Sequence, residues 1–439
     1  MLEVHRTHQA KILNHGQVEE PLDRHGWSSS KLWNVANYHS RQEWEETGEI
    51  PGHGDLKDEL KTHNKYKGLH SQSSQRVLEE LAEAFNSWYK KRKSDNRANP
   101  PGYRKKNYYD NQGRRVHEEH PRSTVTWKQN GIRHDSKNNR VRLSKGANHK
   151  EHPKAWEYIL VEYETRPGVT VENLQQVRAV YDKAKERWEL HLVCKDEIET
   201  PTAPGTETAG VDLGICNFAA VAYSTDEADL YPGNRLKQDG YYFPKEIAKC
   251  DDSGGQEATR LHAKWSERRT HFFHALAKHI VERCVEQEVG RINIGKLAGV
   301  REDDNGDSKN WGRHGNLDLH GWAFDRFSNI LEYKAKVEGI EVVEVSERGT
   351  SKTCCVCGRE DDNQRVERGL YVCEPCDAAF NADVNGAEDI RLDLNQSNSK
   401  SAPNLGGDRS TGWLAQPGVY LHDLSSGFQP QEQVVDCKP

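Results

Sequence analysis

The stretch GVDLGICNFAAVAYS, residues 210–224, decides how the rest of the chain is read. It runs apolar into Asp212, turns at Gly214 and continues as a second apolar run to Ser224. Two short apolar runs split by a glycine turn predict a pair of buried strands, the first ending in a carboxylate. An Asp in that place has an ordinary use as a turn cap, so Asp212 alone leaves its role open.

Working outward, residues 258–287 predict a long helix, and INIGKLAGV, residues 292–300, predicts a short buried strand running into a loop. A second helix follows, with Phe324, Phe327, Leu331 and Ala335 on one stripe, then the strand IEVVEVS at 340–346 and a cysteine-bearing module. The last helix opens in NADVNGAEDIRLDL, residues 381–394. This order fits an RNase H-like α/β layer with a small module inserted before its last helix. TPTAPGTETA, residues 200–209, reads as a linker and a domain boundary. Upstream, residues 157–194 are rich in β-formers, with DKAKE joining two alternating runs like a hairpin loop. Residues 74–93 place Val77, Leu78, Leu81, Phe85 and Trp88 at helical spacing, and NPPGYRKK then breaks the helix. The segment from about 395 onward, rich in Asn, Ser, Gly, Pro and Gln, reads as disordered.

A length of 439 residues suggests about three domains. The net charge of −7 argues against nucleic acid only until its distribution is seen. Residues 101–150 carry thirteen Lys and Arg against four Asp and Glu, and Lys90, Lys91, Arg92, Lys93 and Arg97 precede them. A basic stripe within an acidic chain is the footprint of phosphate contacts, although a solvated charge run looks the same. The acidic remainder suits a cytoplasm of high salt. No apolar run approaches the roughly 18 residues that span a bilayer, and the opening MLEVHRTHQAKIL lacks signal-peptide anatomy. The expectation is a cytoplasmic chain with no membrane partner.

Ten cysteines occur, and four of them form two CxxC pairs, Cys354 with Cys357 and Cys373 with Cys376. Fifteen residues separate the pairs, which is zinc-ribbon spacing. Four thiolates close a tetrahedron around Zn²⁺ and leave no open position, so the site is structural. Cys355 competes with Cys354 for the metal, but Gly358 makes Cys357 the natural end of the knuckle and selects the 354/357 pair.

Asp383 opens the last helix directly after this module. Hydrolysis of a phosphodiester by two Mg²⁺ ions needs acidic oxygens on neighbouring elements, and Asp212 and Asp383 are candidates. Each also has a local use, as a turn cap and as a helix N-terminal acid.

GVDLGICNFAAVA, SERGTSKTCCVCG with YVCEPC, and NADVNGAEDI together resemble the TnpB family of transposon-encoded RNA-guided nucleases, from about residue 208 to 392. Helix 324–339 and, more weakly, the first 200 residues agree with it. The resemblance implies a wedge-like β-barrel (1–45 and 135–200) interrupted by a helical recognition lobe (46–134). It further implies a RuvC nuclease (208–349 and 378–395), a zinc ribbon (350–377) and a tail (396–439). It implies a guide RNA and a double-stranded DNA target, with base pairing reading the sequence and the protein reading a short adjacent motif.

Carried over residue by residue, Asp212 and Asp383 are the first and third catalytic carboxylates, held on Mg²⁺. The second, a Glu, aligns with Gly295, and neighbouring Lys296 cannot replace it because a cation repels the metals. One reading is relocation, with Glu332 first and Glu302 second, against the ordinary use of Glu332 as a helix-surface partner of Lys336. A second is a nuclease-dead guided DNA-binding repressor, and a third a stand-alone zinc-ribbon DNA-binding protein or strand transposase. The expectation carried forward is an RNA-guided DNA endonuclease using Asp212, Asp383 and Glu332. Lys90, Lys91, Arg92, Lys93, Tyr103, Arg104, Lys105 and Lys106 are expected to hold guide RNA or heteroduplex. Arg348, Ser351 and Lys352 lie beside the ribbon, where entering DNA would pass, and His271 and His274 read as helix-surface histidines.

Overall fold

A computed structural model describes residues 2–296, 323–392 and 412–431, apart from 94, 96, 105–106, 110, 113, 119, 153–156, 200, 253, 348, 362 and 368. The chain divides into two compact units after Ile198, at the upstream edge of the expected linker.

The first unit opens with β1 (Leu2–Ile12) and then three helices, α1 (His15–Thr47), α2 (His53–Leu60) and α3 (Ser71–Arg92). The short strands β2 (Asn107–Tyr109) and β3 (Arg115–Glu118) pair with each other. There follow β4 (Val125–Lys128), β5 (Ile132–Asp135), β6 (Arg140–Ser144), β7 (Tyr158–Glu164), β8 (Leu174–Asp182) and β9 (Arg187–Ile198). Seven strands form one sheet in the order β4-β8-β9-β1-β7-β6-β5. Its two edge strands, β4 and β5, are consecutive and joined by only the three residues Gln129–Gly131. So short a link can connect opposite edges only if the sheet curls round on itself. The stripe expected on α3 is present, with Val77, Leu78, Leu81 and Phe85 buried in one core with Trp127, Trp188 and Leu192. Truncating Leu81 to Ala there costs about 2–5 kcal/mol.

The helical segment starts at His15 rather than at 46, and β4 and β5 belong to the sheet rather than to the helical lobe. Helix α1 hides its own signal. Besides Val18, Leu22, Leu32 and Ala36 it buries Ser28, Ser29, Ser30, Asn37 and Ser40, so polar residues interrupt the apolar stripe of its inner face. Ser28 and Ser30 donate to the carbonyls of Arg24 and Gly26 one turn back, which lets hydroxyls sit inside.

The second unit begins with β10 (Glu207–Leu213), β11 (Asn217–Tyr223) and β12 (Glu227–Pro232), followed by α4 (Asn234–Ile247) and α5 (Gln256–Glu286). Next come β13 (Val289–Lys296), α6 (Phe324–Val337) and β14 (Glu341–Ser346). The ribbon contributes β15 (Arg365–Glu367), β16 (Leu370–Cys373) and β17 (Ala378–Asn381), and β17 runs directly into α7 (Ala382–Leu392). The hairpin β18 (Gly418–Asp423) and β19 (Gly427–Pro430) closes the described chain. The main sheet has the order β14-β13-β10-β11-β12-β18-β19, with β10, β13 and β14 mutually parallel and β10, β11 and β12 antiparallel.

Alternation along the central strands assigns the two faces. Val211 and Leu213 of β10, Ile292 and Ile294 of β13, and Val221 and Tyr223 of β11 pack under α5 and α6 with Phe272, Phe273 and Phe327. Ala220 and Ala222 face the other way, toward α7 and the ribbon. That face is built of small residues so that α7 can come close. A Cβ at Gly210 would strike the Ala387 carbonyl of α7. Asp212 and Gly295 alternate with the residues of the first face and therefore share the α7 side.

The expected disordered tail is corrected over residues 412–431, while 396–411 and 432–439 lie outside the described residues. β18 pairs parallel with β12, Phe428 is buried, and the Tyr420 ring stacks on Tyr231 at 5.6 Å. Two aromatic anchors fix a hairpin whose surrounding Gly, Ser, Asp and Gln dominate its composition. No helix among the described residues is long and apolar enough to cross a membrane.

Candidate active site

Asp212 stands at the C-terminal end of the central strand β10, on the face toward α7. α7 accommodates it with a glycine. A Cβ on Gly386 would lie 2.9 Å from Asp212 Oδ2, so a larger residue would push the carboxylate aside. One turn earlier, Asp383 sits in the first turn of α7. Asn381 caps that turn, its Oδ1 accepting from the Asp383 and Val384 N–H groups at 3.0 and 3.2 Å.

The Asp383 carboxylate is held on both oxygens. Asn217 Nδ2, from the start of β11, donates to Oδ2 at 2.8 Å, and Arg365 Nη2, from the ribbon strand β15, donates to Oδ1 at 3.1 Å. Burial pushes the Asp212 carboxyl up to about 7, with the negative charge of Asp383 adding to the rise and Arg365 opposing it. The two aspartates expected from sequence are therefore brought within electrostatic reach of each other.

The third member is Glu347, a residue that the motifs of the sequence do not single out. It follows β14, and the register pairs Gly295 with Val345, two residues before it. A Cβ at Gly295 would fall 2.7 Å from Glu347 Cδ and closer still to its Oε1. The glycine at the end of β13 thus vacates the volume that the Glu347 carboxylate occupies. Burial and then the Asp212 charge push Glu347 up to about 8. Its Oε1 is buried without a hydrogen-bond partner. An orphaned buried oxygen between carboxylates costs about 1–3 kcal/mol unless something positive meets it. Three acidic groups, with Asp212 and Glu347 pushed up by burial and a neighbouring charge and Glu347 left with an unsatisfied oxygen, are the donor set that a hard divalent cation takes. The residues present fit Mg²⁺.

Glu332 is not brought to this cluster. It lies exposed on α6, and among the described residues no hydrogen bond, ion pair or charge coupling joins it to Asp212 or Asp383. Lys296 points into solvent and pairs with Glu344 at 2.7 Å, so the cation beside Gly295 is neutralised across the strand pair. Glu302 and Arg348 lie outside the described residues, and Ser351 and Lys352 are exposed. A signal for Glu347 was present in IEVVEVSE. Strand alternation puts Val343, Val345 and residue 347 on one face, so a carboxylate follows two apolar residues at the end of that face.

In the ribbon, the sulfurs of Cys354, Cys357, Cys373 and Cys376 all lie within 4.8 Å of one another. Two of the separations, Cys354 to Cys376 and Cys357 to Cys373, are 3.9 and 3.6 Å, close to the roughly 3.8 Å edge of a thiolate tetrahedron with Zn–S bonds near 2.3 Å. The cluster can hold a metal. Cys355 stays out of it, buried, its N–H donating to Asn385 Oδ1 at 3.0 Å. Asn385 also donates to the Thr353 carbonyl at 2.7 Å, which ties the first knuckle to α7.

In the first unit, Lys90, Lys91, Arg92 and Lys93 are exposed at the end of α3. Arg92 lies over Trp44 and Trp88 at 5.6 and 5.5 Å, and Lys93 over Tyr89 at 5.1 Å. Tyr103 is exposed with Arg41 on its ring. Arg104 is turned inward, over Trp33 at 4.4 Å and donating to Ser29 Oγ, so it braces α1. Lys105 and Lys106 lie outside the described residues. In the second unit, His271 is exposed, and the ring of His274 bonds the Tyr333 hydroxyl at 3.1 Å.

Residues 191–301 match the family OrfB_IS605, described as "Probable transposase", and residues 324–390 match the Cas12f1-like TNB domain. The chain is similar to the TnpB-like protein ORF457 of Acidianus two-tailed virus, at 25% identity over 88% of this chain and 86% of that one. It is also similar to the CRISPR-associated endodeoxyribonuclease Cas12f1 of Sulfoacidibacillus thermotolerans, at 22% identity over 48% of this chain and 52% of the relative. Among solved structures, the Cas12f1–sgRNA–target DNA complex shares the fold, with a TM-score of 0.56 and 15% identity over 85% of this chain and 82% of that one. Family matches over residues 191–301 and 324–390, together with a relative aligned along most of its length, make the chain similar to TnpB-like proteins.

Proposed function

We propose that the chain is an RNA-guided DNA endonuclease with a RuvC-type, RNase H-like nuclease centre formed by Asp212, Asp383 and Glu347. The strand order β12-β11-β10-β13-β14, three antiparallel strands continued by two parallel ones, supports the RNase H-like assignment. The observation that carries the reading is the fit between Gly295 and Glu347. The position where the family places its second acid is a glycine, and the acid of the neighbouring strand fills its space against Asp212. The charge has moved one strand over, to Glu347 rather than to Glu332.

In this reading Asp212, Glu347 and Asp383 would hold two Mg²⁺ ions, which would supply Lewis-acid stabilisation of charge on a scissile phosphate. The chain's own residues set the stage. Burial on the α7 face keeps bulk water from screening the carboxylates. Asn217 and Arg365 fix Asp383, and the Arg365 guanidinium, on an exposed ribbon strand, is suited to face a phosphate arriving at the same carboxylate. The four cysteines would hold a structural Zn²⁺, which would brace the ribbon bearing Arg365. Gln364, whose Nε2 lies 4.0 Å from Cys373 Sγ, orients one thiolate. Guide RNA and target DNA are the partners, with base pairing supplying sequence specificity and the exposed cations and aromatics at the end of α3 supplying backbone contact.

The deciding experiment incubates the purified protein and its co-transcribed RNA with Mg²⁺ and a matched DNA duplex. Cleavage that disappears in Asp212→Ala and Glu347→Ala and persists in Glu332→Ala is the expected result. Tight guided binding by the wild type with no cutting, at low or high salt, would leave a guided DNA-binding repressor instead.

A further inference from the structure

We infer that Asn217 is a positioning residue for Asp383, fixing the orientation in which that carboxylate meets a divalent cation. The inference rests on the nuclease reading above and adds to it a residue that neither the carboxylate set nor the cysteine module includes.

Asn217 opens β11, and the pairing of β11 with β12 shifts register between Asn217 and Ala219, so the residue is set off from the regular ladder. Its turn is pinned at two points. Gly214 N–H donates to the Phe218 carbonyl at 3.3 Å, and Gly233 N–H donates to the Cys216 carbonyl at 3.1 Å. With the backbone fixed, the side chain spans from the sheet to α7 and places Nδ2 2.8 Å from Asp383 Oδ2. The two residues are 166 positions apart in sequence, so this bond clamps the first hairpin to the last helix. The same hairpin carries Asp212, and the bond therefore sets the separation of the two aspartates as well as the rotamer of one.

The chemistry favours an amide here. A first-turn helical aspartate has more than one staggered χ1 available, and a donor on one oxygen selects among them. A lysine in this place would compete with the divalent ion, whereas the amide donates without adding charge. A carboxylate offers about four lone-pair sites, so one bond from Asn217 leaves the rest for a cation. Arg365 takes the other oxygen from an exposed strand, where it can withdraw as ligand arrives; Asn217 sits on a pinned turn and stays.

The test uses the full chain as Asn217→Ala and as Asn217→Leu, the second keeping the volume and losing the donor. Mn²⁺ binding is titrated by calorimetry, and the Mg²⁺ dependence of cleavage is measured on the RNA complex. Both variants should bind Mn²⁺ about 10- to 100-fold more weakly, as expected when the partner of a ligating group is removed. The Mg²⁺ needed for half-maximal cleavage should rise, with guided DNA affinity unchanged. Zinc content and melting temperature identify a variant that is merely misfolded, and the other variant then carries the test. Unchanged Mn²⁺ affinity, or a loss confined to DNA binding, overturns the inference. If the wild type binds Mn²⁺ tightly, the variants weaken it and neither they nor the wild type cut DNA, the nuclease reading fails while the role of Asn217 stands.

Discussion

The cysteine cluster and the carboxylate cluster lie at opposite ends of the short path from Cys376 to Asp383, yet they are written into the chain in different ways. The four cysteines come from two local knuckles, so their spacing along the sequence is nearly their geometry in space. The carboxylates come from β10, the end of β14 and the start of α7, and only the strand register and the packing of α7 bring them together. A chain-local site can lose a member only at its own positions. A site assembled by a sheet can pass a member to the neighbouring strand, provided that the vacated residue is small enough to make room. Gly295 meets that condition.

The largest effects should appear where a cluster loses a ligand outright. Cys373→Ser should release the metal from the ribbon, and with it the link from the knuckles through Asn385 to α7, so that zinc content and cleavage fall together. Structural zinc sites of this kind are worth on the order of 10–16 kcal/mol in small peptides, so a loss of thermal stability should be plain in a melting curve. If the ribbon kept its metal with three thiolates, the contrast between a local and an assembled site would weaken.

Next in size is a transplant. Gly295→Glu alone should be harmful, since its side chain collides with Glu347 and adds a fourth negative charge to a crowded site. Glu347→Gly alone should abolish cleavage. The double variant Gly295→Glu/Glu347→Gly returns the acid to the β13 position and should recover part of the rate. A double variant no better than either single one would show that the space, and not the charge alone, has been rebuilt around Glu347.

A smaller effect concerns pH. Asp212 and Glu347 are raised to about 7 and about 8 in the folded chain, against about 4 for free carboxylates. A raised carboxylate favours the protonated folded form, so its contribution is intact below the unfolded value and is lost as pH climbs through the folded one. The metal-free protein should therefore melt progressively lower between about pH 4 and pH 8. Mg²⁺ should raise the melting temperature more at pH 8 than at pH 6, and Glu347→Gln should flatten this dependence. Equal Mg²⁺ stabilisation at both pH values would contradict the coupled cluster.

The smallest effect belongs to the comparison residue. Glu332→Ala, on the exposed flank of α6, should change stability by less than about 0.5 kcal/mol and leave cleavage intact.

These contrasts also explain what the sequence made legible. Asp212 and Asp383 were readable because each sits at an element end with a Gly or Asn signal beside it, and the ribbon because of its spacing. Glu347 was hidden because SERGTSK reads as the approach to the cysteines, and its function depends on a strand register that composition does not state. Helix α1 was hidden by its buried serines, and the β18–β19 hairpin by how few apolar residues hold it. In each case the missing information was a long-range partner.

The central claim is that Glu347 is the relocated acid, and its most direct test is anomalous diffraction from crystals soaked in Mn²⁺. The expected result is an ion about 2.0–2.2 Å from carboxylate oxygens of both Asp212 and Glu347. Manganese held by Asp212 without Glu347, or a site shared instead with Glu332, would contradict it.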